Sequence, residues 1–488
     1  MTSAAIFSQA LTGMRTARVE VEATISNGLP QIAIIGLSEK RARQLRERIR
    51  SAIEHSGYKV PDRRIVVNLA PDDLFKEHAG FDLPIVLAIL MASKQLEPAR
   101  FKGFCAMGEL TLTGHIRQVP GLFIAAVACQ QEGLTFLGPY QTDIAALPGF
   151  ERYLPVASLQ ELKSELKQAP ASPKAPVEPA DTRHLMLDDV LGQTLAKRSL
   201  TVAAVGGHHL LMVGPPGSGK TMLAQRLAGL MAPLTEPQRL ELACVQSVLG
   251  FAPRLQDIKR PFREVHQSTS KAALIGGGSP PKPGEITLAH LGVLFLDEIA
   301  EFSAQVLNQL RQPLEQGFID LSRAHHRTRY PAAFQLVAAM NPCPCGWLGS
   351  AKPCSCAAEQ VKRYRQRVSG PILDRIDLQI SVSGLEPSLM LGPSAPKQTP
   401  SEHATAQLLI QRGRENKRER VREMGDQDAT FDLTRSARSQ LLKLAEKMHF
   451  SARTMARIMR VGRTLADIEG ETLVSSQHLE EALILRQP

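Results

Sequence analysis

Three short and largely apolar runs in the middle of the chain predict buried strands. They are Leu210–Val213, Val293–Leu296 and Phe334–Met340. Runs of this length, bounded by glycine or polar residues, are typical of strands whose two faces are both covered. After the first run, Met222–Ala228 repeats its apolar residues at helical spacing. The pattern therefore predicts an α/β fold built on an open sheet.

Two other patterns flank these runs. Gly317–Pro331 alternates apolar and polar residues around a cationic tip and then continues as the third strand, which predicts a β-hairpin. Near the C-terminus, apolar residues recur at three- and four-residue spacing and predict a small helical domain. They are Leu441, Leu442, Leu444, Ala445, Met455, Ile458, Met459 and Leu465.

Proline-rich stretches divide the 488 residues into three folded parts. Residues 168–181 read QAPASPKAPVEPAD, and residues 385–401 contain four prolines. Proline at this density prevents regular structure and indicates linkers. We expect an N-terminal domain over 1–167, the α/β core over 182–384 and a helical C-terminal domain over 402–488, in keeping with about three domains for this length.

The loop between the first strand and its helix, GPPGSGKT, matches the P-loop pattern without a break. Its glycines let backbone N–H groups turn inward toward a phosphate at the helix N-terminus. Lys220 can reach the β- and γ-phosphates, and the Thr221 hydroxyl can ligate Mg²⁺. An ATP–Mg²⁺ site is therefore predicted at Gly214, Pro215, Pro216, Gly217, Ser218, Gly219, Lys220 and Thr221.

The other two strands end in further polar groups. Asp297, at the end of the second strand, would hold Mg²⁺, and Glu298 would polarise the attacking water. Asn341 follows the third strand and can orient water without adding negative charge. Arg375, in GPILDRIDL, fits either a surface ion pair or an arginine finger aimed at a neighbouring subunit's γ-phosphate. Because the other nucleotide-binding motifs occur in the same chain, the arginine-finger interpretation is favoured.

The chain is basic. Its net charge is +10, from 58 Lys and Arg against 48 Asp and Glu, with a pI near 9.3. This excess suggests a polyanionic partner. One cluster comprises Arg412, Arg414, Lys417, Arg418, Arg420 and Arg422. Glu415 and Glu419 are interspersed at helical spacing, which favours a solvated helix face over nucleic-acid contact.

No feature of the sequence indicates a membrane or secretion. The longest serious apolar run, Leu83–Ala92, is shorter than the roughly 18 to 20 residues that span a bilayer. The N-terminus lacks the basic and apolar regions of a signal peptide. We expect a cytoplasmic protein.

Four of the seven cysteines cluster as two CxC pairs, Cys343 with Cys345 and Cys354 with Cys356. In a reducing cytoplasm clustered thiols favour structural Zn²⁺ over disulfides. The spacing differs from the usual CxxC knuckle, so free thiols and an iron–sulfur cluster are the alternatives. Cys105, Cys129 and Cys244 lie singly in apolar surroundings and are expected in the core.

Five stretches carry a resemblance to a known family. They are RPFREVHQSTSKAALIGGGSPPKPGEITLAHLGVLFLDE (260–298), LEQGFIDLSRA (314–324), AAMNPCPCG (338–346), GPILDRIDL (370–378) and SARTMARIMRVGRTLADIEG (451–470). They resemble the AAA+ ATPases, specifically the magnesium-chelatase-like branch that includes the ComM (YifB) proteins. The resemblance covers nearly the whole chain. It implies an AAA+ core with a helical lid, in which Asn341 is the first sensor, Arg375 the finger and Arg453 the second sensor.

Two insertions in the core are the candidate DNA contacts. By resemblance, the hairpin at 317–331 lines the central pore of ring-shaped relatives, and 270–283 is the insertion in helix 2. Glycines and cations suit contact with a phosphate backbone, although a surface hairpin without a partner is the alternative. The candidate residues are Lys271, Lys282, Arg323, His325, His326, Arg327 and Arg329.

The N-terminal domain resembles the proteolytic domain of Lon-type proteases, an S5-type α+β fold, through GELTLTGHIRQVPGLFIAAVACQQEG (108–133). That protease needs a serine nucleophile and a lysine base. Phe123 stands where the resemblance places the lysine, and 78–90 contains no serine. We therefore expect a binding or ring-organising module without peptidase activity.

Two functions from different classes remain. The first is a ring-forming, hexameric, ATP-driven DNA motor. By resemblance to the ComM proteins, it would drive branch migration on single-stranded and branched DNA during natural transformation, alongside recombination proteins. The second is an ATPase that remodels a protein partner, as the chelatase subunit does. The basic pI and the cationic hairpin favour the DNA motor.

Overall fold

The structure is a computed structural model that describes residues 1–71, 79–147, 149–168, 185–251, 254–278, 281–323, 326–368, 370–384, 401–424 and 432–486. The predicted linkers at 168–181 and 385–401 therefore lie almost wholly outside the described residues.

A seven-stranded mixed sheet forms the N-terminal part, in the order β3–β4–β2–β1–β5–β8–β9. Its seven strands are β1 (Thr2–Thr12), β2 (Arg15–Ser26), β3 (Gln31–Ile35), β4 (Arg64–Ala70), β5 (Phe104–Ala106), β8 (Thr135–Gly138) and β9 (Tyr153–Pro155). Two further strands, β6 (Glu109–Leu110) and β7 (Ile116–Arg117), form a separate antiparallel pair. The helices are α1 (Glu39–His55), α2 (Asp82–Ala92), α3 (Leu122–Gln131) and α4 (Thr142–Ala145). Every residue of α2 is buried, as expected for a helix that is apolar on all sides.

A five-stranded sheet, parallel throughout, forms the central part in the order β11–β14–β17–β10–β18. The strands after β9 are β10 (Leu210–Val213), β11 (Phe262–Val265), β12 (Gly276–Gly277), β13 (Lys282–Pro283), β14 (Val293–Leu296), β15 (Phe318–Arg323), β16 (His326–Pro331), β17 (Gln335–Met340) and β18 (Leu378–Ser381). All residues of β10, β14 and β17 are buried. The three predicted strands and the α/β class are confirmed.

Helices cover both faces of this sheet. They are α5 (Thr194–Gly206), α6 (Lys220–Leu230), α7 (Glu236–Val248), α8 (Lys271–Ile275), α9 (Glu285–Leu288), α10 (Ala304–Asn308), α11 (Arg311–Gln316), α12 (Ala358–Gln366) and α13 (Gly370–Leu373). The predicted hairpin is also confirmed, because β15 and β16 pair antiparallel from Phe318↔Pro331 to Arg323↔His326.

The C-terminal part is helical, as its pattern predicted. It comprises α14 (Glu402–Met424), α15 (Arg435–Met448), α16 (Ala452–Glu469) and α17 (Ser476–Ile484). Ile458 and Leu465 of α16 share one hydrophobic cluster with Leu200 of α5 and Leu210 of β10. The helical part therefore packs on the five-stranded sheet near β10.

The N-terminal part packs against the central part through α3 and α7. Phe123 and Val119 lie in one hydrophobic cluster with Leu242 and Ile258, and the Gly121 amide donates to the Ser247 carbonyl at 2.7 Å. This contact was not expected from the proline-rich linker, whose composition carries no information on whether the domains it joins touch.

Among the helices of the described ranges, none combines the length and apolar character that crossing a bilayer requires.

Candidate nucleotide-binding site

The P-loop connects the carboxyl end of β10 to the first residue of α6. Gly217 and Gly219 adopt φ of 75° and 85°, in the left-handed region that favours glycine. Gly214 lies so close to the residue that follows β18 that a Cβ on it would come 2.2 Å from the Val382 carbonyl oxygen. Its amide donates to the Met340 carbonyl at 3.1 Å. The loop is therefore fixed on both sides by neighbouring strands.

Lys220 extends into this loop and is 8% exposed. Its Nζ donates to the carbonyls of Gly214 at 2.8 Å and Pro215 at 2.9 Å, and lies 3.4 Å from Asn341 Oδ1. Burial lowers the pKa of Lys220, while the charges of Asp297 and Glu298 oppose that shift. The lysine thus joins the loop to the end of β17.

Asp297 and Glu298 follow β14 at the same edge of the sheet. The Thr221 hydroxyl donates to Asp297 Oδ2 at 3.3 Å, so the two predicted Mg²⁺ ligands are neighbours. Glu298 is exposed and has φ of 50°, an uncommon left-handed conformation for a glutamate. Such backbone strain clusters at functional sites.

Tyr364 of α12 is an additional buried group at this edge. Its phenol lies beside the Asn341 backbone, and burial, followed by the charges of Glu301 and Glu298, raises its pKa to about 12. Tyr364 is not among the site residues predicted from the sequence. Apolar side chains at 361, 364 and 368, in an otherwise charged segment, are the signal that would have found it.

Arg375 and Arg453 lie elsewhere, at the amino-terminal edge of the sheet. Arg375 precedes β18, which pairs in parallel with β10 at Leu210↔Leu378. Arg375 lines a cavity of about 340 Å³, which is also lined by Arg453, Arg457, Arg460, His208 and His209. The P-loop follows the opposite end of β10, roughly 10 Å away along the strand. The two predicted arginines are therefore together, but apart from Lys220 of their own chain.

The two arginines differ in their contacts. The Arg375 guanidinium hydrogen bonds with the Glu315 carboxylate and the Pro371 carbonyl. Arg453, in the first turn of α16, is exposed, and no hydrogen bond or ion pair links it to the part of the chain that the structure describes. Arg375 thus has hydrogen-bond partners within its own chain, whereas Arg453 has none among the described residues.

Family models match most of the chain. The model "Magnesium chelatase, subunit ChlI" matches residues 186–390, "Subunit ChlI of Mg-chelatase" matches 21–141, and "Magnesium chelatase, subunit ChlI C-terminal" matches 399–486. The competence protein ComM of Haemophilus influenzae is 40% identical over 506 residues, which cover 99% of this chain and 97% of that protein. YifB of Salmonella typhimurium is 39% identical over 504 residues, covering 100% and 97%.

The chain belongs to the ComM/YifB family of magnesium-chelatase-like proteins. This confirms the resemblance read from its motifs. As a member of the ComM/YifB family the chain has an AAA+ core, in agreement with the parallel sheet.

The four clustered cysteines of this ComM/YifB chain converge directly after Asn341. The Sγ atoms of Cys343, Cys345 and Cys354 are 3.4 to 3.6 Å apart, and all four sulfurs, with Cys356, lie within 4.8 Å of one another. Four thiolates around Zn²⁺ at 2.3 Å would be about 3.8 Å apart. The donor set therefore fits a single four-coordinate ion. Cys105, Cys129 and Cys244 are buried, as predicted.

The two predicted DNA elements contact each other. The Tyr330 hydroxyl donates to the Pro281 carbonyl at 2.8 Å, and a Cβ on Gly276 would lie 3.1 Å from Leu321 Cδ1. Lys271 and Lys282 are exposed. Arg329 pairs with Asp320 at 2.8 Å and stacks on Phe318. His325, and the side chains of Arg323, His326 and Arg327, lie outside the described residues.

The cationic helix α14 uses several of its charges within the chain. Arg420 forms two hydrogen bonds with Asp467, at 3.0 and 3.1 Å. Arg414 donates to the carbonyls of Ala204 and Leu230, at 2.9 and 3.0 Å. These contacts attach α14 to its neighbours and give two of the six cations of the cluster partners within the chain.

In the N-terminal part, Phe123 and Asp82 are fully buried. Asp82 Oδ2 accepts from Arg48 at 2.7 Å and from the Leu110 amide at 3.1 Å. Burial raises the pKa of Asp82 to about 6, although Arg48 opposes the shift. His78 lies outside the described residues.

Proposed function

We propose that this chain is a ring-forming AAA+ ATPase, hexameric by resemblance to its family, that uses ATP to drive branch migration on DNA. The supporting observation is the division of the candidate site between two edges of one sheet. Lys220, Thr221, Asp297 and Asn341 are at one edge, and Arg375 and Arg453 are at the other. A complete site would then need two subunits.

In this proposal each residue at the carboxyl edge has one role. Lys220 and the P-loop amides would bind the phosphates, and Thr221 with Asp297 would hold Mg²⁺, whose charge offsets that of the phosphates when it is bound. Glu298 would accept a proton from the attacking water, and Asn341 would orient that water. Arg375 and Arg453 of the next subunit would stabilise the charge on the γ-phosphate.

Two observations support DNA as the partner: the positive charge of the chain and the name of one relative. The chain carries a net charge of +10, and the exposed Lys271 and Lys282 lie on the insertion that touches the hairpin. The Haemophilus relative is named a competence protein, which fits a role in recombining incoming DNA. Contacts to phosphates would give affinity without sequence preference.

The test is ATP hydrolysis by the full chain with no DNA, single-stranded DNA or a branched junction, followed by strand displacement on the junction. We expect at least a several-fold stimulation by DNA and ATP-dependent displacement, both weakened by salt. Hydrolysis that DNA leaves unchanged would instead favour a protein-remodelling ATPase.

We further propose that the four cysteines hold a structural Zn²⁺. Protein purified without chelator is expected to contain close to one equivalent of zinc per chain. Less than about half an equivalent would contradict the site.

For the N-terminal domain we propose a role without peptide hydrolysis, because Phe123 is buried where a Lon-type lysine would stand. Incubation with an unfolded protein substrate and ATP is expected to give no cleavage; ATP-stimulated cleavage would contradict this role.

A further inference from the structure

The segment 342–357, which we term the cysteine loop, touches the phosphate-binding loop. The contact is between Gly346 and Pro216. A Cβ built on Gly346 would lie 2.7 Å from Pro216 Cδ and 2.9 Å from its Cγ. Only a residue without a side chain can approach the proline ring this closely. The cysteine loop is therefore packed directly on the P-loop.

The same segment is continuous with Asn341 and with α12. Asn341 lies immediately before the cysteine loop, and its side chain is 3.4 Å from Lys220 Nζ. After the loop, α12 returns to this point, where the Tyr364 phenol lies beside the Asn341 backbone. Arg365 Nε donates to the Pro342 carbonyl at 3.4 Å. Both ends of the cysteine loop thus meet at the candidate first sensor.

The sulfur cluster connects the two halves of the cysteine loop, since Cys354 Sγ lies 3.6 Å from Cys343 Sγ and 3.5 Å from Cys345 Sγ. Within the described residues the cysteine loop contains neither helix nor strand. Its own backbone hydrogen bonds are short turns, such as Gly346 N to Cys343 O at 3.0 Å and Ser350 N to Trp347 O at 3.1 Å. Along the chain, Cys343 and Cys345 precede Gly346, which contacts Pro216, and Cys354 and Cys356 follow it. Four thiolates on one ion would close this segment into a rigid unit.

We propose that a metal ion held by the four cysteines positions the phosphate loop and Asn341, so that ATP turnover depends on metal occupancy. The contact between Gly346 and Pro216 transmits this effect to the P-loop. The proposal rests on the ATPase function proposed above and adds a control over the same site. Gly346 is in this account a positioning residue.

The test compares two glycines of the cysteine loop. Gly346 and Gly349 both adopt left-handed backbone, with φ of 82° and 77°, but a Cβ on Gly349 would have nothing within 4 Å. Gly346→Ala and Gly349→Ala therefore introduce similar backbone strain, and only the first presses on Pro216. Zinc content, thermal unfolding, and KM and kcat for ATP are measured for the full chain in each case.

We expect both variants to retain wild-type zinc. Gly346→Ala should lose at least tenfold in kcat/KM, mostly through a higher KM, because the displaced group is the phosphate loop. Gly349→Ala should stay within about threefold. A Cys354→Ser variant should lose zinc and show both a lower kcat and a higher KM. The lower kcat is expected because Asn341 is no longer positioned by the metal-bound cysteine loop.

Three results would overturn the proposal: equal kcat/KM in the two glycine variants, full turnover by Cys354→Ser without zinc, or no zinc in the wild type. Failure of the proposed ATPase activity looks different, because the wild type would then hydrolyse no ATP while its zinc content stayed normal.

Discussion

At the scale of single residues, the amino-terminal edge of the core sheet is organised around Asp377 and His209. Asp377 is 4% exposed and accepts from His208 Nδ1 and from Arg457, each at 3.0 Å. Burial by itself would raise the pKa of Asp377, but His208, His209 and Arg457 bring it below its usual range. Asp377 is thus a counter-ion of the arginine-rich cavity.

His209 makes the stability of the folded chain depend on pH. Its Nδ1 accepts the Leu336 amide at 3.0 Å, which requires a neutral ring, and burial lowers its pKa from 6.5 to about 4. The unfolded chain therefore binds this proton at higher pH than the folded chain. The stabilising effect of neutral His209 is complete above pH 6.5 and is lost as the pH falls toward 4, by about 1–3 kcal/mol.

Urea unfolding at several pH values between 7 and 4 measures this loss. A His209→Asn variant keeps an acceptor for the Leu336 amide but has no proton to gain, so its free energy of unfolding should depend less steeply on pH. Identical slopes for the two proteins would show that His209 does not titrate in this range.

At the scale of elements, sequence patterns predicted those parts of the site that depend on local order. Asp297 and Asn341 come at the ends of apolar runs, and Lys220 comes where a glycine loop meets a helix, so each position followed from its neighbours along the chain. The apolar spacing of α12 indicates that Tyr364 is buried, but its position beside Asn341 and the shared cavity of Arg375 and Arg453 depend on how distant helices return to the sheet. No local pattern contains that information.

The contact between the β1–β2 turn and the candidate DNA hairpin is another long-range feature. Gly13 has φ of 66°, and a Cβ there would lie 2.2 Å from Thr328 Cγ2. The N-terminal part is therefore in direct contact with β16. Movement of the hairpin would have to displace this turn.

Gly13→Ala should disrupt this contact. Gly103, with φ of 77° and nothing within 4 Å of a Cβ, provides the matched control for backbone strain. We expect Gly13→Ala to destabilise the chain by about 1–3 kcal/mol more than Gly103→Ala. Adding Thr328→Ser, which removes the methyl group, should recover most of the difference. Equal unfolding free energies for the two alanine variants would refute the close contact.

At the scale of the whole molecule, the division of the site between opposite edges of one sheet is the central result. In the proposed site, the P-loop edge would supply groups for phosphate and Mg²⁺, and the arginine edge would supply the cations that lie beside a cavity of about 340 Å³. A head-to-tail assembly brings the first edge of one subunit to the second edge of the next, and such interfaces close into rings when the rotation allows. The proposed activity is thus a property of the assembly.

The most direct measurement is ATP hydrolysis by mixed variant subunits. Lys220→Ala removes the proposed phosphate-binding lysine and Arg375→Ala removes the proposed finger, so each variant assembled alone should be inactive. In an equal mixture, an Arg375→Ala subunit keeps its P-loop and can receive Arg375 from a Lys220→Ala neighbour. Random assembly should then restore hydrolysis at about one quarter of the sites. A mixture as inactive as its components, or an Arg375→Ala protein that hydrolyses ATP alone, would contradict the shared site.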